Sequence, residues 1–145
     1  MQVSVQITNL EEVRKKIGNL DTSKQRQIII RSLRKSAAPI RKEARALAPR
    51  AKKPIVRNFA SGSKVIEPGN LAKSIAVFIG RSREWFNVQV GARKGLRHKN
   101  DGYYAHFVHD GHESPSGRQV EGNPFLKKAA QAKEKEAVAI FERSW

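Results

Sequence analysis

The residues from Ser23 to Leu47 constrain this chain more than any others. Ile29, Leu33, Ala37, Ile40, Ala44 and Leu47 recur at intervals of three or four, which is helix spacing. On a 3.6-residue period they occupy a sector about 80° wide. Arg31, Arg34, Lys35, Arg41, Lys42 and Arg45 fall on the opposite side, in a sector about 120° wide. The pattern predicts one long helix with a buried side and a cationic side. Thr22 with Gln25, or Ser23 alone, is placed to cap its start. Ala48-Pro49 is placed to stop it, because proline disfavours helix in the residue before it. Pro39 lies inside the pattern and removes a backbone hydrogen bond. It predicts a kink near Lys35–Ala38 or a break into two shorter helices.

The charge of this stretch extends beyond it. The chain carries a formal +16 over 145 residues. Residues 23–57 hold twelve Lys and Arg against the single acidic Glu43, so most of the excess sits in one quarter of the chain. A localised positive field of that kind implies an anionic partner, either nucleic acid, a membrane surface or an acidic protein face. The plainer reading is a solvated face that keeps the protein soluble. The chain has no cysteine, so no disulfide and no thiolate zinc site is expected. Met-Gln-Val-Ser-Val lacks the charge pattern of a signal peptide, and no apolar run approaches the ~20 residues of a membrane span.

Around this helix the chain reads as a single small α+β unit over 1–145. Val3, Val5 and Ile7 alternate with polar residues as in a half-buried strand. Asn9 precedes a short helix with a Leu10, Val13, Ile17 and Leu20 stripe. Residues 49–69 show no period and are interrupted by Pro49, Pro54, Gly62, Pro68 and Gly69, which predicts an extended, mobile basic loop. Asn70–Ser74 looks like a capped helical turn. Ile75–Ile79 and Phe86–Val90 predict an antiparallel hairpin joined by Gly80–Trp85. Gly91–Gly102 is a basic loop, Tyr103–Val108 a strand or short helix, and Asp110–Gly122 turn-like. Asn123-Pro124 opens a last helix, with Asn as cap, proline at the first position, and Phe125, Ala129, Ala132, Glu136, Ala139 and Ile140 near one face. Helices and strands that do not alternate argue for helices packed on a small antiparallel sheet.

Few residues suggest chemistry. His106, His109 and His112 stand three apart beside Asp110 and Glu113, with His98 upstream, and these types suit a transition metal or acid–base catalysis. The spacing is not the i, i+4 pair of a helical zinc site, and Gly111 interrupts a helix through the cluster. Structural or surface histidines account for the pattern more simply. Gly91–Gly95 lacks phosphate-loop spacing. Ser61, Ser63, Ser114 and Ser116 have no motif that would activate them. Trp85, Phe86, Tyr103, Tyr104 and Phe107 lie near Arg83, Arg93 and Arg97. A sheet carrying such aromatics can stack single-stranded bases, though the core of a small sheet is their commoner place.

Four blocks, in order, resemble the neck and tail-completion family of long-tailed phages of the Hong Kong 97 type. Val3–Ile17 resembles its opening strand and helix. Arg34–Pro49 resembles its signature helix with an Ala-Pro stop. Gly69-Asn-Leu-Ala-Lys-Ser-Ile-Ala-Val77 is similar to its Gly-x-Leu-x-x-Ser-Ile entry to the sheet. Tyr104-Ala-His-Phe-Val108 and Asn123-Pro-Phe-Leu-Lys-Lys-Ala129 resemble its Tyr-Ala-x-Phe-Val and Pro-Phe-Leu-x-x-Ala segments. The chain departs from the family at His109-Asp110-Gly111-His112, where an acidic residue and a Gly-Thr are usual, and in its longer, more basic 50–68 loop.

The resemblance implies a structural virion protein, without catalytic, cofactor or metal site, that forms a homo-oligomeric ring at the head–tail junction. Its implied partners are head-closure or portal-adaptor proteins, tail tube or tail terminator proteins, and phage DNA in transient non-specific contact, with no membrane. It implies synthesis in the host bacterial cytoplasm and residence in the virion. Arg50, Lys52, Lys53, Arg57, Arg41 and Arg45 are the candidate contacts to a neighbouring subunit or DNA. Phe125 and Leu126 are expected in the core. The alternatives are a stand-alone basic nucleic-acid-binding protein and a small basic ribonuclease using His106 or His109.

Overall fold

The computed structural model describes residues 2–6, 10–18, 21–81, 86–95 and 97–144. Its core is built around the long helix. Strand β1 (Gln2–Gln6) and helix α1 (Leu10–Ile17) lead into α2 (Thr22–Leu47), which runs unbroken through Pro39. The two-helix alternative is therefore not what forms. Asp21, not Thr22 or Ser23, caps the start, with Oδ1 accepting from Ser23 N at 2.8 Å. Ser32 Oγ and Ser36 Oγ donate to Ile28 O (2.9 Å) and Leu33 O (2.8 Å), which lets two hydroxyls lie buried on the apolar side of the helix. Ile29, Leu33, Ala37, Ile40 and Ala44 are all at most 2% exposed, as their spacing predicts. Leu47 departs from the stripe at 38% exposed, although Ala44 and Ala48 on either side of it stay in the core.

The main sheet has order β1-β5-β4, all antiparallel, with β4 covering Ile75–Arg81 and β5 Phe86–Ala92. The hairpin pairing of these two strands is as the alternation predicts; their connection, with Trp85 and Arg83, lies outside the described residues, as do Ile7, Asn9 and Leu20. Phe86, Val88, Val90 and Ala92 alternate inward along β5, and Val77 and Ile79 stand opposite Val90 and Val88 on the same face. That face receives α2. The last helix, α5 (Phe125–Glu142), packs mainly along α2. Its buried residues are Phe125, Leu126, Ala129 and Ala137, while Ala132 and Glu136 are exposed. The stripe is thus rotated from the expected one, because α5 meets chiefly the helix α2 and touches the sheet mainly along β1. Burial of Phe125 and Leu126, both at 0% exposure, contributes about 1.5–3 kcal/mol each. The helix begins one residue later than expected, with Pro124 at the cap position.

The segment expected as a loop holds a second sheet. Strands β2 (Ile55–Phe59) and β3 (Gly62–Ile66) pair antiparallel across Ala60-Ser61 and join no other strand among the described residues. Helix α3 (Asn70–Ser74) follows; Gly69 at its cap position has φ +81, and no side chain caps it. Helix α4 (Ala105–Asp110) replaces the strand-or-helix ambiguity at 103–108. Beyond it the short strands β6 (His112–Glu113) and β7 (Gln119–Val120) pair within the expected turn region. Gly111, at φ +79, and Gly122 bring their backbones together there. A Cβ on Gly111 would stand 2.6 Å from Val120 O, and one on Gly122 would stand 2.7 Å from Gly111 N.

Candidate assembly surfaces

The loop after β5 is anchored by its backbone. Arg93 N donates to Ser74 O at 2.9 Å and Gly102 N to Arg93 O at 2.7 Å. This holds Asp101 inside, only 4% exposed. Its Oδ1 accepts from Gly95 N (3.0 Å) and Tyr103 N (3.1 Å), and its carbonyl accepts from Asn70 Nδ2 (2.7 Å). Its Oδ2 accepts from Arg57 Nη1 on β2 at 3.2 Å. The Arg57 guanidinium also lies 3.4 Å from the centre of the Tyr103 ring and 4.6 Å from that of Phe59. Arg57 is therefore engaged within the chain, fastening the β2–β3 hairpin to the rest of the fold. Lys64 Nζ on β3 adds a bond to His98 O at 2.9 Å.

Arg45 has a similar internal task. Its Nη2 and Nε donate to Ile75 O at 2.9 and 3.3 Å, where α3 passes into β4 and the carbonyl has no helical partner. Burial first, then the neighbouring charges of Arg41 and Arg93, lowers the Arg45 pKa from the usual arginine value. Arg41 is half-buried on the same helix. Arg50, Lys52 and Lys53 are exposed in the segment between α2 and β2, and Arg31, Arg34, Lys35 and Lys42 are exposed along α2. Of the six predicted contact residues, Arg50, Lys52 and Lys53 form the openly displayed set. Nothing in the sequence pattern marks Asp101 as the buried partner of Arg57, or the Ile75 carbonyl as that of Arg45.

The histidines do not converge. His109 is 5% exposed, with Nδ1 2.8 Å from Asp110 Oδ1 and its ring edge-on to Phe125 at 5.8 Å. His106 stacks on Phe107 at 3.9 Å, and His112 meets the edge of the same ring at 5.5 Å. Among the described residues no three His, Asp or Glu side chains are placed to hold a metal ion. Phe86 is in the core; Tyr103 and Tyr104 are half-buried, edge to face at 5.2 Å, and Phe107 stands on α4, so these aromatics do not form a stacking face on the sheet.

A basic α+β protein, with helices on one sheet face, an appended hairpin and cations spread over open surface, is the class these features define. Residues 11–111 match the family described as "Bacteriophage HK97-gp10, putative tail-component". The match covers more than two thirds of the chain, and the chain belongs to this family of phage tail components. It takes in α2, the β2–β3 hairpin and the Asp101 loop; β1 and everything after Gly111, α5 included, lie outside it. Comparison with curated proteins and with solved structures gave no match. No helix among the described residues is long and apolar enough to cross a membrane.

Proposed function

We propose that the protein is a non-catalytic component of the virion that assembles as a ring at the head–tail junction. The observation that carries this reading is the match of residues 11–111 to a phage tail-component family. On one side the ring meets head-closure or portal-adaptor proteins, and on the other tail tube or tail terminator proteins. DNA passes through it in transient, sequence-independent contact. The exposed Arg50, Lys52 and Lys53 and the cationic side of α2 suit such contact, because phosphate neutralisation needs charge but no base readout.

Ring closure requires two different patches on each subunit. Light scattering at low and high salt, followed by negative-stain imaging, tests it: a species of fixed subunit number with a central hole is the expected result. The same exposed cations favour a second reading, a stand-alone nucleic-acid-binding protein. A monomer that binds duplex or single-stranded DNA tightly at physiological salt would replace the ring reading with that one.

A further inference from the structure

The two exposed cationic surfaces of the chain are built differently. Arg50, Lys52 and Lys53 stand in an irregular segment and offer charge alone. On α2 the cations surround an apolar floor. Gln27, Ile30, Arg31, Arg34, Lys35 and Ala38 line an open trough of about 510 Å³, and all six belong to α2. Ile30 and Ala38 are half-buried, while Arg31, Arg34 and Lys35 are exposed. The lining is mostly apolar in spite of its three cations, because their alkyl stems lie along the floor and their heads stay at its rim. Lys24 and Lys42, also exposed, fall on the same side of the helix, so the cations extend over about 27 Å of its length.

The chain itself leaves these charges unanswered. Among the described residues, Lys24, Arg31, Arg34, Lys35 and Lys42 make no ion pair. Glu43, the one acid within α2, falls on a different side and acts on Lys133 of α5. Arg31 meets Arg34 and Lys35 at the i, i+3 and i, i+4 spacings, where like charges destabilise a helix. An anionic partner relieves that repulsion.

The floor says which anion. A phosphate backbone has no apolar surface to set against Ile30 and Ala38. An acidic amphipathic helix has both carboxylates and apolar side chains, and it meets a helical face at the same i, i+3, i+4 and i+7 intervals. Ala38 stands midway between Arg34 and Lys42, four residues from each. Its small side chain lets a facing helix approach to the packed interaxial distance of about 8–10 Å. We propose that this side of α2 docks an acidic amphipathic helix of another virion protein. The proposal rests on the virion reading for the kind of partner and not on ring closure. It leaves contact with DNA to Arg50, Lys52 and Lys53.

The probe is a fluorescein-labelled synthetic peptide of about 20 residues, long enough to hold a helix, with glutamates and leucines on one face. A scrambled peptide of the same composition and charge and a DNA duplex are the comparisons, all read by anisotropy with the full chain at physiological salt. The amphipathic peptide binds about tenfold tighter than the scrambled one. Arg34→Gln with Lys35→Gln weakens that peptide about tenfold and the duplex far less, and Lys52→Glu with Lys53→Glu does the reverse. Ala38→Gln fills the floor without touching a charge; it weakens the amphipathic peptide and leaves duplex binding as it is. Equal binding of the two peptides, or no binding of either, overturns the proposal. A larger loss for the duplex than for the peptide in the Arg34 and Lys35 variant assigns this side of α2 to DNA and also overturns it. Rings seen by negative stain in any of those cases leave the ring reading standing, and peptide binding without rings supports the docking side and overturns the ring.

Discussion

Arg57 and Asp101, forty-four residues apart, meet at 3.2 Å, with the carboxylate 5% exposed and the guanidinium side chain 29% exposed. One ion pair thus joins the hairpin to the loop that follows the main sheet. The flat guanidinium satisfies the acid and stacks on Tyr103 at the same time, which a lysine ammonium cannot do.

Arg57→Ala leaves Asp101 Oδ2 without its cation and is expected to destabilise the protein by about 1.5–3 kcal/mol in urea denaturation. Arg57→Lys recovers less than half of that loss. Hydrogen exchange gives the sharper check: amides of 55–66 lose protection in Arg57→Ala while those of α2 keep theirs. Uniform loss of protection would mean that the hairpin does not hang on this pair.

Gly102 has no room for a side chain. A Cβ there would come within 2.7 Å of Ala92 Cβ and collide with the Ser74 hydroxyl. Gly102→Ala is expected to cost about 1–3 kcal/mol, measured by the urea midpoint at unchanged slope. Gly117→Ala is the contrast, since its strain comes from φ +77 and not from crowding, with Glu113 Oε1 the nearest atom at 3.8 Å.

Arg41 repels the Arg45 guanidinium that holds Ile75 O. Arg41→Gln removes that repulsion and is expected to raise stability by about a few tenths of a kcal/mol at low salt, fading as ionic strength rises. Arg45→Met has the opposite sign and leaves the Ile75 carbonyl unpaired, a loss of about 1–3 kcal/mol. Thermal melts at two salt concentrations separate the two effects.

Lys52→Glu with Lys53→Glu is expected to weaken binding to duplex DNA equally for unrelated sequences. The slope of log affinity against log salt drops by about two. Fluorescence anisotropy with two unrelated duplexes checks it, and a loss confined to one sequence would contradict backbone contact.

The long helix was legible because a 3.6-residue pattern held over about five turns leaves little freedom, and five of its six stripe residues are buried where the spacing puts them. The main hairpin was legible from alternation along Phe86–Val90. The β2–β3 pair was not, because its strands are only five residues each and Ile55-Val56 breaks the period of two at its start. The available signal was Ser61-Gly62 between two β-branched runs. Charge pattern also could not tell which cations stay free. Arg45 and Arg57 look like Arg50 and Lys52 in sequence, and only the fold brings a buried carbonyl and a buried carboxylate to the first two. The α5 stripe was misplaced because its packing partner is another helix, which no local period reveals.

The touching backbones of Gly111 and Gly122 also have a practical meaning. They pinch the ten residues between them into a closed bight whose two ends are already joined. Lengthening that bight at Pro115–Gly117 leaves its endpoints where they are and adds little closure entropy. A peptide epitope spliced there would ride on the outside of an otherwise unaltered fold. It offers a beacon by which the protein could be located in micrographs of whole particles.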